Sequence, residues 1–578
     1  MTTPIGEGKR IKVYHQLIFT IFKCSYFQIP DPRKSRIHEA LLNEDILHSI
    51  FKHFDPHPGP QEMAQTRKDL LSAAKVCKAF AEPALDALWR VLPSLLPLML
   101  LLPSAEIVNN EYVSFESYEI SCSLPALRIF QFVDNLSLNK WERFDIHARR
   151  VRTLYMETSR VVISPIIYIR IRSMRDSPLL PGLKAIHIPD NEIVDFPSII
   201  LFALGSSLDS VGLNNSAISQ RNFYIPFITS LTSQPPRLTH LALRGSGNIS
   251  LEPVYHFTSL QRLEIRLSGT YLYPQTLRRV GNLANLSDLT LDVGASIPVT
   301  VPVVNRQIGS ASTLSHYKML RRLHIIGIPS AITRILDDIN LVNLTTLVIE
   351  EASDGTRQES FWKRCFDQIS MCQAIEDIEI NQLTHRNWGH EYYSLSTSWL
   401  MSLLTLRNVE SLVINGTAFS GEDEDFRSLA RAFPKLKKLS VPPTYYSKGR
   451  TLACLYYFSR YCPELQEIKI CIGYDILKNL DAVKNLPHLT TPVNHLEKLY
   501  ITSQFGAIQS TDTIQVAEFL DVIFPSLSVL ETYDSNKTEA LNWAGIQQYR
   551  VALKATRIRA YNQAYNRAVS EMGIESNN

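Results

Sequence analysis

Leu238-Thr239-His240-Leu241-Ala242-Leu243 and Leu260-Gln261-Arg262-Leu263-Glu264-Ile265 share one pattern: an apolar residue, two open positions, an apolar residue, one open position, an apolar residue. The pattern runs along most of the chain. It begins at Leu127-Phe130-Phe132 and Val151-Leu154-Met156 and passes through Leu286-Leu289-Leu291, Leu320-Leu323-Ile325, Leu344-Leu347-Ile349 and Ile375-Ile378-Ile380. It ends at Leu496-Leu499-Ile501 and a degraded copy at Leu527-Leu530. There are roughly fifteen copies at a mean step of about 29 residues, which is the signature of a repeat array. Within each copy the last two apolar residues are two positions apart, so a strand would point both to the same face. Segments such as Trp362–Phe366 and Phe426–Ala430 have the look of helices returning between strands. Proline before several strands (Pro125, Pro181, Pro236, Pro434, Pro463, Pro525) would end the preceding helix.

This pattern resembles the leucine-rich repeat over about 410 residues, at the long end of that family's period. The resemblance implies an α/β chain: an irregular solenoid with a parallel sheet on its concave face. The open positions of each copy then form a grid facing that surface. Early copies place Arg244, Arg262, Arg266, Arg322 and His324 there, middle copies Glu350, Asp377 and Glu379, and late copies Lys438, Lys469 and Lys498. Arginine holds carboxylates and phosphates with two parallel hydrogen bonds, so this basic cluster is the candidate substrate site, suited to an acidic or phosphorylated protein segment. The alternative is that the arginines pair with local acids such as Glu264 and Asp288 and bind nothing.

Ahead of the array stands Leu42-Asn43-Glu44-Asp45-Ile46-Leu47-His48-Ser49-Ile50-Phe51-Lys52-His53-Phe54. Asn43 can cap a helix there, and Glu44 and Asp45 complement the positive end of its dipole. Ile46, Leu47, Ile50, Phe51 and Phe54 fall on one stripe. A helical run from Asp69 to Ala81 and a third after Pro83, ending at Leu88-Trp89, follow. Their order and spacing resemble an F-box, with Asn43 where that family usually has proline and a long polar insert, Asp55 to Lys68, read as a surface loop. The resemblance implies docking on a Skp-type adaptor, and through it a cullin, by Leu42, Ile46, Leu47, Ile50, Phe51, Leu70, Leu71, Val76, Cys77, Phe80 and Trp89. Leu47, Ile50 and Phe51 are expected to be partly exposed until the adaptor covers them.

The expected organisation is an amino-terminal tail at 1–36, an F-box with its joining segment at 37–103, the solenoid at 104–534 and a helical cap at 535–578. The tail is basic and then apolar, but His15, Gln16 and Lys23 interrupt it, against a signal peptide. The apolar join, Leu92 to Pro103, is too short and too rich in proline to span a bilayer. In the last segment Trp543, Ile546, Tyr549, Leu553, Ile558, Tyr561 and Tyr565 alternate with Arg550, Lys554, Arg557, Arg559 and Arg567. A basic amphipathic helix of this kind suits a membrane or an acidic partner, but closing the open end of the array is the commoner use.

Over 578 residues the net charge is +3, too small to argue for nucleic acid. The eight cysteines include no Cys-x-x-Cys pair, which points to thiols in a reducing compartment, cytoplasm or nucleus. Gly245-Ser246-Gly247 follows a strand, but Ser250 stands where a dinucleotide fingerprint has its third glycine. No phosphate loop, zinc pattern or nucleophile elbow is present, so no cofactor, metal or catalytic residue is assigned. The expected function is a non-catalytic substrate receptor of an SCF-type ubiquitin ligase. Its alternatives are a leucine-rich scaffold without ligase role and an enzyme whose site is scattered over the concave face.

Overall fold

The computed structural model describes residues 43–54, 60–102, 105–109, 128–132, 141–156, 161–163, 178–190, 208–232, 238–246, 249–268, 274–293, 317–339, 341–352, 359–383, 394–396, 400–415, 418–441, 450–473, 494–502, 510–532 and 537–571, with isolated positions between them. The tail at 1–36, Leu42, and Asp55 to Gly59 of the insert lie outside the described residues. The chain divides into two compact units, Met1–Thr270 and Tyr271–Asn578.

In the first unit three helices lead: α1 (Glu44–Lys52), α2 (Pro60–Ala74) and α3 (Lys78–Arg90). The Asn43 side chain accepts from the backbone N–H groups of Asp45 (3.0 Å) and Ile46 (3.2 Å), the cap that the sequence suggests. The insert is not wholly a loop, because α2 already starts at Pro60. Proline suits the first turn of a helix, and Glu62, Met63, Ala64, Gln65 and Arg67 are good helix formers. Gln65 also donates to Asp69 one turn on (2.8 Å). The run from Asp69 to Ala81 is broken in two, with Cys77 extended (φ −159°, ψ 168°) before α3. Pro83 lies inside α3 and is buried there, not at its start.

The end of α3 runs directly into the repeat sheet. Val91–Leu92 (β1), which the sequence suggests is part of the join, pairs in parallel with β2 (Thr153–Tyr155). The ladder continues through β3 (Ala185–Ile188), β4 (Ser210–Leu213), β5 (His240–Ser246) and β6 (Arg262–Ser268), all parallel and in register. The copy at Leu127 falls elsewhere: Arg128–Phe132 joins a small separate sheet, antiparallel to Ala105–Asn109 and parallel to Val161–Ile163.

Among the described residues, the second unit repeats the scheme with nine parallel strands in one sheet, β7 (Asp288–Asp292), β8 (Arg322–Gly327), β9 (Thr346–Ala352), β10 (Asp377–Leu383), β11 (Ser411–Asn415), β12 (Lys438–Val441), β13 (Glu467–Cys471), β14 (Lys498–Thr502) and β15 (Val529–Glu531). Helices return between many of them, including α5 (Glu359–Ile369) and α6 (Asp423–Ala432) where the sequence suggests them. The inward residues Leu263, Ile265, Leu289, Leu291, Leu323 and Ile325 are buried, while Arg262 is exposed and Glu264 and Asp288 are partly so. This is the leucine-rich-repeat architecture. Each short strand gains little alone, and stacking buries the leucine row on both sides.

Close approach explains one glycine. A Cβ on Gly245 would lie 2.7 Å from the Cα of Asn215, whose side-chain carbonyl accepts from the backbone N–H and the hydroxyl of Ser246, both at 2.8 Å. Gly245 and Ser246 thus serve the contact between β5 and the short helix Asn215–Ser219 after β4, not a nucleotide. Gly245→Ala is expected to lower stability by about 1–3 kcal/mol, because the obstacle is backbone and cannot swing aside; thermal unfolding of the variant measures it.

Among the described residues no helix is long and apolar enough to cross a membrane. Cys365, Cys372 and Cys462 are buried thiols; burial pushes Cys372 and Cys462 up to about 12 and Cys365 higher still.

Candidate interaction surfaces

The three helices pack so that the apolar stripe of α1 is divided. Leu47 and Phe51 are 1% and 6% exposed, against the expectation that they would be partly open. Phe51 meets Phe80 of α3 edge-on at 5.7 Å, and Leu70, Leu71 and Trp89 complete the buried set. The other side of the stripe is left in solvent: Ile46 is 40% exposed, Ile50 41% and Phe54 44%. Val76, in the turn between α2 and α3, is 64% exposed, while Cys77 and Phe80 are intermediate. Phe54 lies 6.1 Å from Phe51, and Phe51 against Phe80, so these apolar groups adjoin along one edge of α1. A wheel drawn from the sequence finds this stripe but cannot say which half is turned inward.

The helical trio is fixed to the repeats by several independent contacts. Arg67 is buried and donates from Nη1 to the Val91 carbonyl at 3.0 Å, and Arg152 N–H donates to Arg90 O at 2.8 Å. Arg150, which follows α4 (Glu142–Ala148), meets Glu82 and Asp86 of α3. Trp89 stacks on His147 of α4 at 4.4 Å. Burial, and then the Arg150 charge, push His147 down to about 4.

That shift has a signed consequence. With the folded value depressed below the ordinary 6.5, the stabilisation is complete above about pH 6.5 and is lost as pH falls toward 4. The loss should reach about 2 kcal/mol after allowance for the ring's partial exposure. His147→Phe keeps a ring against Trp89 and removes the proton, so its melting temperature should fall less than that of the unaltered chain between pH 7 and pH 4. Parallel curves for the two proteins would contradict this.

On the sheet of the first unit the register sets Tyr155, His187, Gly212, Ala242 and Glu264 in one row. Tyr155 stacks on His187 at 4.8 Å. A Cβ on Gly212 would meet the His187 ring 2.8 Å away, so the ring leans over the glycine. Gly212 and Ala242 leave a low floor between this aromatic pair and Glu264. Above Glu264 in the neighbouring row stand Arg244 and Arg266.

Arg244 grips both oxygens of Glu264, from Nε and Nη2, each at 2.8 Å. That pair holds Arg244 above its ordinary range. Arg266 Nε comes within 2.7 Å of Glu264 Oε1, but the N–H is not aligned for a hydrogen bond, and Arg266 remains 38% exposed at its side chain. Two guanidinium groups therefore share one carboxylate, leaving a local excess of one positive charge. The charge of Arg244, after burial, also keeps His187 below its usual value.

The candidate residues Arg322 and His324 belong to the second unit. Arg322 is exposed and stands beside Asp288 in register, and His324 Nε2 lies 3.0 Å from Glu350. Further along, Glu379, Asn381 and Asn415 form a hydrogen-bonded chain across β10 and β11, and Lys438 pairs with Glu467. The blocks of charge read from the sequence are thus locally compensated in several places. Sequence reasoning foresaw the pairing partner Glu264 but missed the Tyr155–His187 wall, whose only signal is an aromatic residue at the same open position in adjacent copies.

No family model matches the chain, and no curated protein matches it. Among solved structures it is similar to the yeast Rad7 and Elc1 complex, at 15% identity and TM-score 0.33 over 56% of this chain and 76% of that one. It is also similar to the leucine-rich repeat-containing protein LegL7 from Legionella pneumophila, at 15% identity and TM-score 0.27 over 62% of this chain and 95% of that one. A leucine-rich-repeat protein of Leptospira interrogans matches at 13% identity and TM-score 0.29, over 66% of this chain and 90% of that one.

Proposed function

We propose that this chain is a substrate receptor of an SCF-type cullin–RING ubiquitin ligase, acting in the cytoplasm, the nucleus or both. The amino-terminal helices serve as an F-box and bind a Skp-type adaptor, and the repeats bind a protein substrate. The chain performs no chemistry of its own in this reading. It raises the concentration of substrate near the recruited conjugating enzyme, and tethering alone supplies large factors when the geometry is right.

The observation that carries the reading is the divided stripe of α1. A helix that folds with its own trio has no internal need for Ile46, Ile50 and Phe54 on the outside, and an adaptor does. The second support is the attachment of α3 to the sheet through β1, Arg67, Arg150 and Trp89. A receptor must hold adaptor and substrate at a fixed separation, and such a junction does this without a flexible linker. Co-purification of the full chain with a Skp-type adaptor, with the cullin recovered in the same complex, is the test. Absence of the adaptor from a chain that is otherwise folded would leave a leucine-rich scaffold as the reading.

A further inference from the structure

The last two helices of the second unit are α7 (Ser510–Ile523) and α8 (Lys537–Glu571). At 35 residues α8 is about 50 Å long, far beyond what closing the repeat array requires. Its first half does that task. Trp543 and Ile546 are buried, and Arg550 donates to the carbonyls of Phe524 and Leu527, both at 3.3 Å. Lys554 reaches Pro525 O, and Arg557 pairs with Asp521 near the end of α7. Beyond Arg557 α8 leaves the body: every side chain from Ile558 to Ala568 is exposed.

The projecting half has a definite chemistry. Val551, Ile558, Tyr561 and Tyr565 follow at spacings of seven, three and four, and their exposures are 60%, 52%, 70% and 59%. That is a narrow heptad seam, the width that one partner helix covers. From Leu541 to Ser570 there are five basic residues, Arg550, Lys554, Arg557, Arg559 and Arg567, and no acidic one. Asp521 pairs with Arg557, and its charge also acts on Arg550.

We propose that residues 551–568 of α8 are a docking helix for an acidic helical segment of another protein. Three occupants compete for the seam, and composition separates them. A second copy would set basic residues against basic residues, which disfavours pairing. A membrane surface calls for a broad face of Leu, Phe or Trp, whereas here alanine, asparagine and glutamine flank a seam of two aliphatic residues and two tyrosines. An acidic helix with its own apolar seam satisfies both the stripe and the charge. This proposal is independent of the ligase reading, since it concerns neither α1 nor the sheet.

The test uses the full chain and a designed probe: a 28-residue peptide with Leu at heptad positions a and d and Glu at e and g, which disfavours its own dimer. The expected result is micromolar binding that weakens with added salt. It should fall at least tenfold in Ile558→Ser/Tyr561→Ser/Tyr565→Ser, whose changes lie on the exposed surface. A solitary projecting helix of this length is marginal in water. Amide exchange from Ala555 to Ala568 should therefore be fast in the free chain and slow with the probe bound. Absence of binding, or equal binding by the triple variant, overturns the proposal. So does sedimentation with vesicles of 70% phosphatidylcholine and 30% phosphatidylserine through these same residues, which would assign the helix to lipid. Concentration-dependent dimerisation lost in the triple variant would assign it to a second copy and overturn the proposal equally.

Discussion

Ile50→Asp is expected to weaken binding of a Skp-type adaptor by tenfold or more, about 1.4 kcal/mol at the least, while the fold persists. Ile50 is 41% exposed in the free chain, so an aspartate there is solvated and costs the folded state little. In the complex the same carboxylate would lose its water to an apolar contact with no partner, and that desolvation sets the size of the effect. Ile46→Asp, one turn earlier on the same edge, should act in the same direction. Leu47→Ala is the contrasting variant. Leu47 is 1% exposed, so its truncation should destabilise the helical trio by about 2–4 kcal/mol and reduce binding only through that loss. Titration calorimetry against the adaptor, with the melting curve of each variant alongside, separates the two. Full-strength binding by Ile50→Asp would sink the F-box assignment.

The contrast between Ile50 and Leu47 also marks the limit of what the chain discloses on reading. Periodicity located most strands of the array because the leucine row is imposed by burial on both sides, and burial is what residue type reports. It did not locate Val91–Leu92, since two residues followed by proline carry no alternation. It placed Arg128–Phe132 in the array, although those residues pair with Ala105–Asn109 in a separate sheet. A pattern of spacing does not name its neighbours. The break between α2 and α3 was hidden for a similar reason: Asp69 to Ala81 is continuous in helix-forming character, yet the backbone is extended at Cys77. The cation cluster was visible as residue types. Which arginine takes the carboxylate depends on register and on side-chain direction, and these come only from the fold.

That geometry changes what the cluster on β5 and β6 should do when perturbed. Glu264 is clasped by Arg244 through two aligned hydrogen bonds and approached off-axis by Arg266. An acidic or phosphorylated segment of a substrate would have to compete with Glu264 for these guanidinium groups, and Arg266 is the one whose N–H is not already in line. Removing the competitor should then strengthen capture. Glu264→Gln keeps shape and polarity, takes away one negative charge and leaves a local surplus of two positive charges. Its expected effect is a several-fold gain in the recovery of acidic or phosphorylated proteins bound to this chain. Arg244→Glu with Arg266→Glu should reverse the sign and abolish that recovery, leaving adaptor binding intact. Inert structural ion pairs predict otherwise: both variants would lose up to about 1 kcal/mol of stability and bind the same proteins as before. Quantitative mass spectrometry of crosslinked complexes, with a phosphatase-treated arm, gives both outcomes in one experiment. The opposite signs of the two variants carry the decision, because general misfolding would depress capture in both.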